Sequence, residues 1–251
     1  MYIVGVGNSD GGMNMNLCMP KQHGAWAMLI IPFWLGVAAS EFLWTHIAFF
    51  IGWLLLYLAT YPMLLLFKKK KISYYAKWTG IYLTPAIILL LIPLFERPSI
   101  VIFGLAMIPF FFINAYYSAK NNERALGNDL SAITVFAIAG LASSYLPYGE
   151  ITSLAITGFI TSVLFFIGCT FYVKSMIREK KNPTYKWISW IFHLAVVIVW
   201  GIAGEWMIAI AFLPSFFRAV YFYGKKITIM QLGIVEIINA TIFFIVMLIA
   251  L

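Results

Sequence analysis

The chain has 251 residues, of which 63% are hydrophobic and only 10% charged. That leaves too little polar surface for a soluble globule and too many apolar runs for one buried core, so the solvent of this protein is a lipid bilayer. A net charge of +8 would suggest nucleic acid as partner in a soluble chain, but here Lys and Arg fall almost wholly in short loops between apolar runs, where they are topology signals, and no nucleic-acid partner is expected.

Residues 1–19 are rich in Gly and Asn and lack both a basic leader and a small-residue cleavage site, so they read as a disordered tail and not as a signal peptide. Met13, Met15 and Met19 offer other starts, and translation beginning just before Pro20 is an expectation that peptides covering 2–16 in cells would dispose of. From residue 20 to 251 no domain boundary and no repeat is evident, which predicts a single transmembrane helical domain. A span needs about 20 mostly apolar residues. Nine runs come close: 24–40, 46–67, 78–95, 100–118, 130–146, 151–173, 187–203, 206–223 and 227–250. The first and the seventh are among the shortest. The fifth carries Ala132, Ala137, Ala139, Gly140, Ala142, Ser143 and Ser144, and small residues let backbones approach closely in lipid, which places this helix centrally. Pro85, Pro93, Pro109 and Pro214 each remove a helix hydrogen bond and mark possible kinks. Cys18 and Cys169 make one possible pair, one in the tail and one within a span, so no stapling disulfide is expected.

Every second junction is basic. Lys21 precedes the first run; the lysines at 68–71 and Lys77 follow the second; Lys120 and Arg124 follow the fourth. Lys174, Arg178, Lys180, Lys181 and Lys186 follow the sixth, and Lys225 and Lys226 the eighth. The intervening junctions hold Glu41, Glu96, Glu150 and Glu205, with Arg97 the one basic residue among them. Cytoplasmic loops are enriched in Lys and Arg, so the pattern predicts an all-α bundle of about nine transmembrane helices with its N-terminus in the cytoplasm and its C-terminus outside.

Within the spans the polar residues are few. An Arg or Glu well inside a spanning helix costs about 2.5–3.5 kcal/mol on insertion scales and therefore faces the bundle interior, a partner or water. At about 1.5 Å per residue, Arg218 lies about 8 Å in on the eighth span and Glu236 about 13 Å in on the ninth, a gap an Arg side chain can bridge. His193 is about 9 Å in on the seventh span, while Asn114 on the fourth and Asp129 at the mouth of the fifth are shallower. Asn239 lies one turn beyond Glu236 and Ser189 one turn before His193, so each pair forms a polar stripe on one face. Two readings fit this layer. In one, Arg218 snorkels to the surface, His193 bonds a neighbour, and Glu236 with Asn239 is helix-packing glue. In the other, a water-accessible, cytoplasm-facing cavity binds an anionic or amphiphilic ligand, with Arg218 and the loop lysines supplying positive charge and Glu236 available for protonation.

The lysines at 68–71 are topology anchors that could also hold anionic headgroups. No HExxH, Cys pair or spaced His/carboxylate cluster suggests a metal, and no phosphate-binding glycine pattern or GxSxG suggests a nucleotide or a serine hydrolase, so no cofactor is expected.

The run Pro20-Lys21-Gln22-His23-Gly24-Ala25-Trp26-Ala27-Met28 resembles the YwiC-like family of bacterial membrane proteins. So do Glu123-Arg124-Ala125-Leu126-Gly127-Asn128-Asp129-Leu130-Ser131, the stretch 171–181 and Pro214-Ser215-Phe216-Phe217-Arg218-Ala219. The resemblance extends from Pro20 to the C-terminus and implies bacterial origin and a multi-pass membrane location. A more distant likeness is to the UbiA-type intramembrane prenyltransferases, which place nine helices with the N-terminus in the cytoplasm and hold Mg²⁺ and a prenyl diphosphate with Asp-rich motifs after helices two and six. This chain has no Asp at either place, and Asn114-Ala115-Tyr116-Tyr117-Ser118 is similar to the Asn-Asp-x-x-Asp pattern without its acids. Magnesium chemistry is therefore not expected. The functional expectation is a bacterial inner-membrane protein that binds or processes an isoprenoid or other lipid-like ligand at a cavity lined by Asn114, Asp129, Lys174, Arg178, His193, Arg218, Glu236 and Asn239. The alternative is a small-solute or proton-coupled transporter.

Overall fold

The computed structural model describes residues 18, 19, 23–68 and 71–251, with His23 described in its backbone alone. The tail at 1–17 and the side chains of Lys21, Gln22, His23, Lys69 and Lys70 lie outside the described residues. Among the described residues there are nine α-helices and no strand: α1 (His23–Ala38), α2 (Thr45–Leu66), α3 (Ile72–Glu96), α4 (Val101–Ala119), α5 (Leu126–Tyr148), α6 (Ser153–Val173), α7 (Pro183–Ile202), α8 (Trp206–Tyr221) and α9 (Ile229–Ala250). A 3-10 turn, Pro98–Ile100, leads into α4, and α6 continues into one π turn, Lys174–Arg178. The molecule is an all-α membrane bundle.

Seven of these helices are long and apolar enough to cross a membrane; α1 and α8 have 16 residues each. At about 1.5 Å per residue, 16 residues reach about 24 Å, short of a hydrocarbon core of about 30 Å. The seventh run, expected to be among the shortest, forms a helix of 20 residues. It gains length at its polar start, where the Asn182 side chain accepts the Thr184 N–H at 3.1 Å and Pro183 occupies the first turn. The eighth instead ends early, as Gly224 takes a positive φ of 79° in the turn toward α9.

The short α1 sits at the middle because both of its faces are buried. Ile31 and Leu35 point into a cluster shared with α6, α8 and α9, while Leu29, Phe33 and Val37 point into a second cluster shared with α2, α4 and α5. The two sets are each spaced by four residues and offset by two, which puts them on opposite sides of a helix. Helices α1 and α5 meet backbone against backbone. A Cβ on Gly36 would stand 2.0 Å from the Gly140 carbonyl oxygen, and one on Gly140 would stand 2.5 Å from that of Pro32. The expected central helix, α5, is the most buried of the seven helices long enough to cross.

Side-chain contacts sort the helix junctions into two sets. On the basic side Lys68 pairs with Glu123, Lys174 reaches the start of α5, and the Trp190 indole donates to the Ala219 carbonyl at 3.0 Å. On the opposite side Thr45 bonds Glu96, and Arg97 Nη2 donates to the Pro147 carbonyl at 2.8 Å at the end of α5. Cys18 is buried against Ala59, Trp78 and Tyr82, and both cysteines are free thiols.

Candidate ligand-binding site

Four helices supply the residues of the main polar cluster. On α8 the buried positions Ile208, Ala211, Phe212, Ser215, Arg218 and Ala219 recur at helical spacing, so the face that packs on α6 and α9 is the face that carries Arg218. On α9 a capping box fixes the start: Thr228 Oγ1 accepts the Gln231 N–H at 3.2 Å and Gln231 Oε1 accepts the Thr228 N–H at 2.9 Å. Two turns on, Glu236 meets Arg218 as an ion pair whose side chains are 17% and 4% exposed. One turn deeper, Asn239 Nδ2 donates to Ser215 Oγ at 3.0 Å. This polar column then stops against aromatics, with Phe165 and Phe243 stacked at a centroid distance of 4.0 Å and Phe212 beside them.

The opposite wall is a single turn of α6. The Arg218 guanidinium lies 4.2 Å over the Tyr172 ring, and its Nη2 is 3.9 Å from Cys169 Sγ. His193, on the buried face of α7 with Ser189 and Val196, brings Nε2 to where Gly168 has no side chain; a Cβ there would stand 2.9 Å away. His193 Nδ1 is 2.6 Å from the Ser189 carbonyl oxygen. A carbonyl only accepts, so Nδ1 carries the proton and Nε2 presents its lone pair.

A second group lies where α6 widens into its π turn. Lys174, 8% exposed at its side chain, sits 3.2 Å from Asp129 Oδ2 and donates to the Arg124 carbonyl at 2.8 Å. Arg178 Nη1 reaches the same carbonyl at 3.4 Å. The expected site residues thus fall into two groups and one outlier: Arg218, Glu236, Asn239 and His193 converge on α6 from one side, while Asp129, Lys174 and Arg178 close the start of α5. Asn114 stands apart on α4, which packs on α2 and α5, and its Oδ1 has no hydrogen-bond partner. Sequence reasoning passed over Gly168, Cys169, Tyr172 and Ser215. Ser215 alone had a signal, three residues before Arg218 on the same helix face.

The main cluster is unevenly satisfied. Arg218 Nε, the Tyr172 hydroxyl and His193 Nε2 are all buried without a hydrogen-bond partner. On the outward side of α8 a shallow, open recess of about 560 Å³ is lined by Phe216, Phe217, Val220, Tyr221 and Phe222 and touches Arg218. No group of three or more His, Cys, Asp or Glu side chains that could hold a metal occurs among the described residues.

The family model for YwiC-like proteins matches residues 19–144. The chain is also 43% identical over 234 residues, 93% of its length, to the "Uncharacterized protein YwiC" of Bacillus subtilis, covering 98% of that protein. The chain belongs to the YwiC-like family. A second relative, an "Uncharacterized protein" of Haemophilus influenzae, is 41% identical over 236 residues, 94% of this chain and 99% of that one. No solved structure matches. The UbiA-type likeness finds no support in these matches. The YwiC-like family model covers α1 to α5 and ends at Ser144, so the Arg218 cluster lies beyond it, in the part of the chain that the two relatives still cover.

Proposed function

We propose that this YwiC-like protein is a cytoplasmic-membrane protein, with its basic side and N-terminus in the cytoplasm, that binds an anionic lipid-like ligand at Arg218. The observation that carries the reading is the Arg218–Glu236 pair, buried between the apolar helices α8 and α9, where both charges are expensive. Arg218 is the cation for the ligand, and Glu236 is the counter-ion that holds the site until the ligand replaces it. The apolar recess on α8 gives the ligand's tail a place beside its headgroup. Lys174 and Arg178 form the basic mouth.

Native mass spectrometry of the purified protein tests this. The wild type retains an anionic lipid, and the double variant Arg218→Gln with Glu236→Gln, which keeps neutral partners in place, loses it. Equal retention by both overturns the reading. The Ser215–Asn239 pair, which carries the polar column one turn further from the basic side, favours a second reading as a small-solute or proton-coupled transporter. For that reading, proteoliposomes would show a proton gradient driving uptake that Glu236→Gln abolishes.

A further inference from the structure

We infer that the group recognised at this site is a phosphate monoester, an oxyanion that still bears a hydroxyl. The inference rests on the reading that Arg218 receives an anionic ligand and goes beyond it by naming the anion. Three buried atoms at the cluster have no partner, Arg218 Nε, Tyr172 Oη and His193 Nε2, and their residues are 5%, 0% and 3% exposed. Buried polar atoms are nearly always bonded, so a group of three at one place points to an occupant. They share one turn of α6: His193 Nε2 packs on Gly168, Tyr172 follows one turn later on the same face, and Arg218 lies over the Tyr172 ring. A side chain on a helix leans toward the preceding turn, so Tyr172 reaches back toward the space beside Gly168.

The unmet valences define the complement. Arg218 Nε is a donor with no acceptor. Tyr172 Oη is a hydroxyl with a proton to give. His193 Nε2 is an acceptor, because Nδ1 spends its proton on the Ser189 carbonyl. The fitting ligand therefore offers two acceptor oxygens and one donor. A carboxylate or a phosphodiester offers acceptors alone and leaves Nε2 unpaired. A singly protonated phosphate monoester offers both, with its P–OH donating to His193.

The test uses the full chain in phosphatidylcholine nanodiscs containing either phosphatidic acid, a monoester, or phosphatidylmethanol, a diester whose headgroup carries no hydroxyl, with bound lipid counted by native mass spectrometry. The wild type retains phosphatidic acid about tenfold better, the worth of one hydrogen bond to a charged group. His193→Phe brings the ratio to about one, and Tyr172→Phe weakens both lipids while keeping the ratio. Glycerol 3-phosphate displacing phosphatidic acid assigns the same chemistry to a soluble ligand; failure to displace assigns it to a lipid. Equal retention of both lipids by the wild type, or a ratio untouched by His193→Phe, overturns the monoester assignment while leaving Arg218 as an anion site. Retention of neither lipid defeats both.

Discussion

At the side opposite the basic loops, His46 is fully buried and fully bonded: its Nδ1 accepts the Leu43 N–H at 2.9 Å and its Nε2 donates to the Ser143 carbonyl at 2.9 Å. Ser143 Oγ in turn lies 2.7 Å from the Phe33 carbonyl and 2.8 Å from that of Gly140. Near the basic side His193 is just as buried, yet one ring nitrogen has nothing to bond, and neither have the Tyr172 hydroxyl and Arg218 Nε beside it. Each cluster holds a buried histidine that bonds a backbone carbonyl. A network whose every member is satisfied holds helices together; one left part-satisfied spends stability on readiness for something else.

The comparison breaks most sharply at the ion pair. Arg218→Ala leaves Glu236 buried without its partner, and thermal unfolding in detergent is expected to show a loss of about 3–5 kcal/mol. Replacing both by Gln removes the uncompensated charge and restores stability to within about 1 kcal/mol of wild type. A neutral Arg218→Ala would mean that the guanidinium can reach the surface and that the pair is an incidental contact.

Next in size is the α1–α5 seam. Gly36→Ala drives a methyl into the Gly140 carbonyl and Ser143 Oγ, 2.0 and 2.2 Å from its ideal position. Overpacking of this kind costs about 1–3 kcal/mol, and here the obstacle is backbone, which gives way least. Reduced yield of folded protein and a lower midpoint for Gly36→Ala, against little change for Gly80→Ala, where a Cβ would meet nothing within 4 Å, is the expected pair of results.

Much of this was legible before the fold was known, for physical reasons that also mark the limit. Apolar runs cut by lysines predict spanning helices because lipid permits few alternatives, and Arg218 and Glu236 stand out because charge in such runs is rare. Depth along a helix follows from counting residues, but azimuth does not. Asn114 was placed with the cluster by depth and type, yet α4 turns out to pack on α2 and α5. Gly168, Cys169 and Tyr172 read as ordinary members of an apolar run, since nothing local says which face of α6 receives Arg218. His46 looked like the first residue of a span, and its bond to Ser143, 97 residues away, has no local signature.

The two histidines sharpen the contrast at the next level. His46→Phe leaves the Leu43 amide and the Ser143 carbonyl short of a partner and is expected to cost about 2 kcal/mol. His193→Phe removes a bond to a carbonyl of its own helix and loses less than about 1 kcal/mol, while altering which lipids are retained. Equal losses at the two positions would show that the unpaired Nε2 does not set His193 apart from His46.

The smallest effect belongs to the Lys68–Glu123 pair, which joins two loops on the basic side with side chains 22% and 36% exposed. Burial pushes the Glu123 carboxyl up, but the Lys68 hydrogen bond, its own backbone amide and the charges of Lys68 and Arg124 together hold it below its ordinary value. A carboxyl with a lowered folded value stabilises the fold above its unfolded value and loses that contribution as pH falls through the folded one. Solvent screening keeps the contribution under about 1 kcal/mol. Unfolding midpoints should therefore converge between wild type and Glu123→Gln as pH drops below the ordinary carboxylate range, and also at high salt near neutrality. The Arg218–Glu236 pair, with side chains 4% and 17% exposed, should respond less to salt, so the difference between the two salt responses measures how far the medium around Arg218 departs from water.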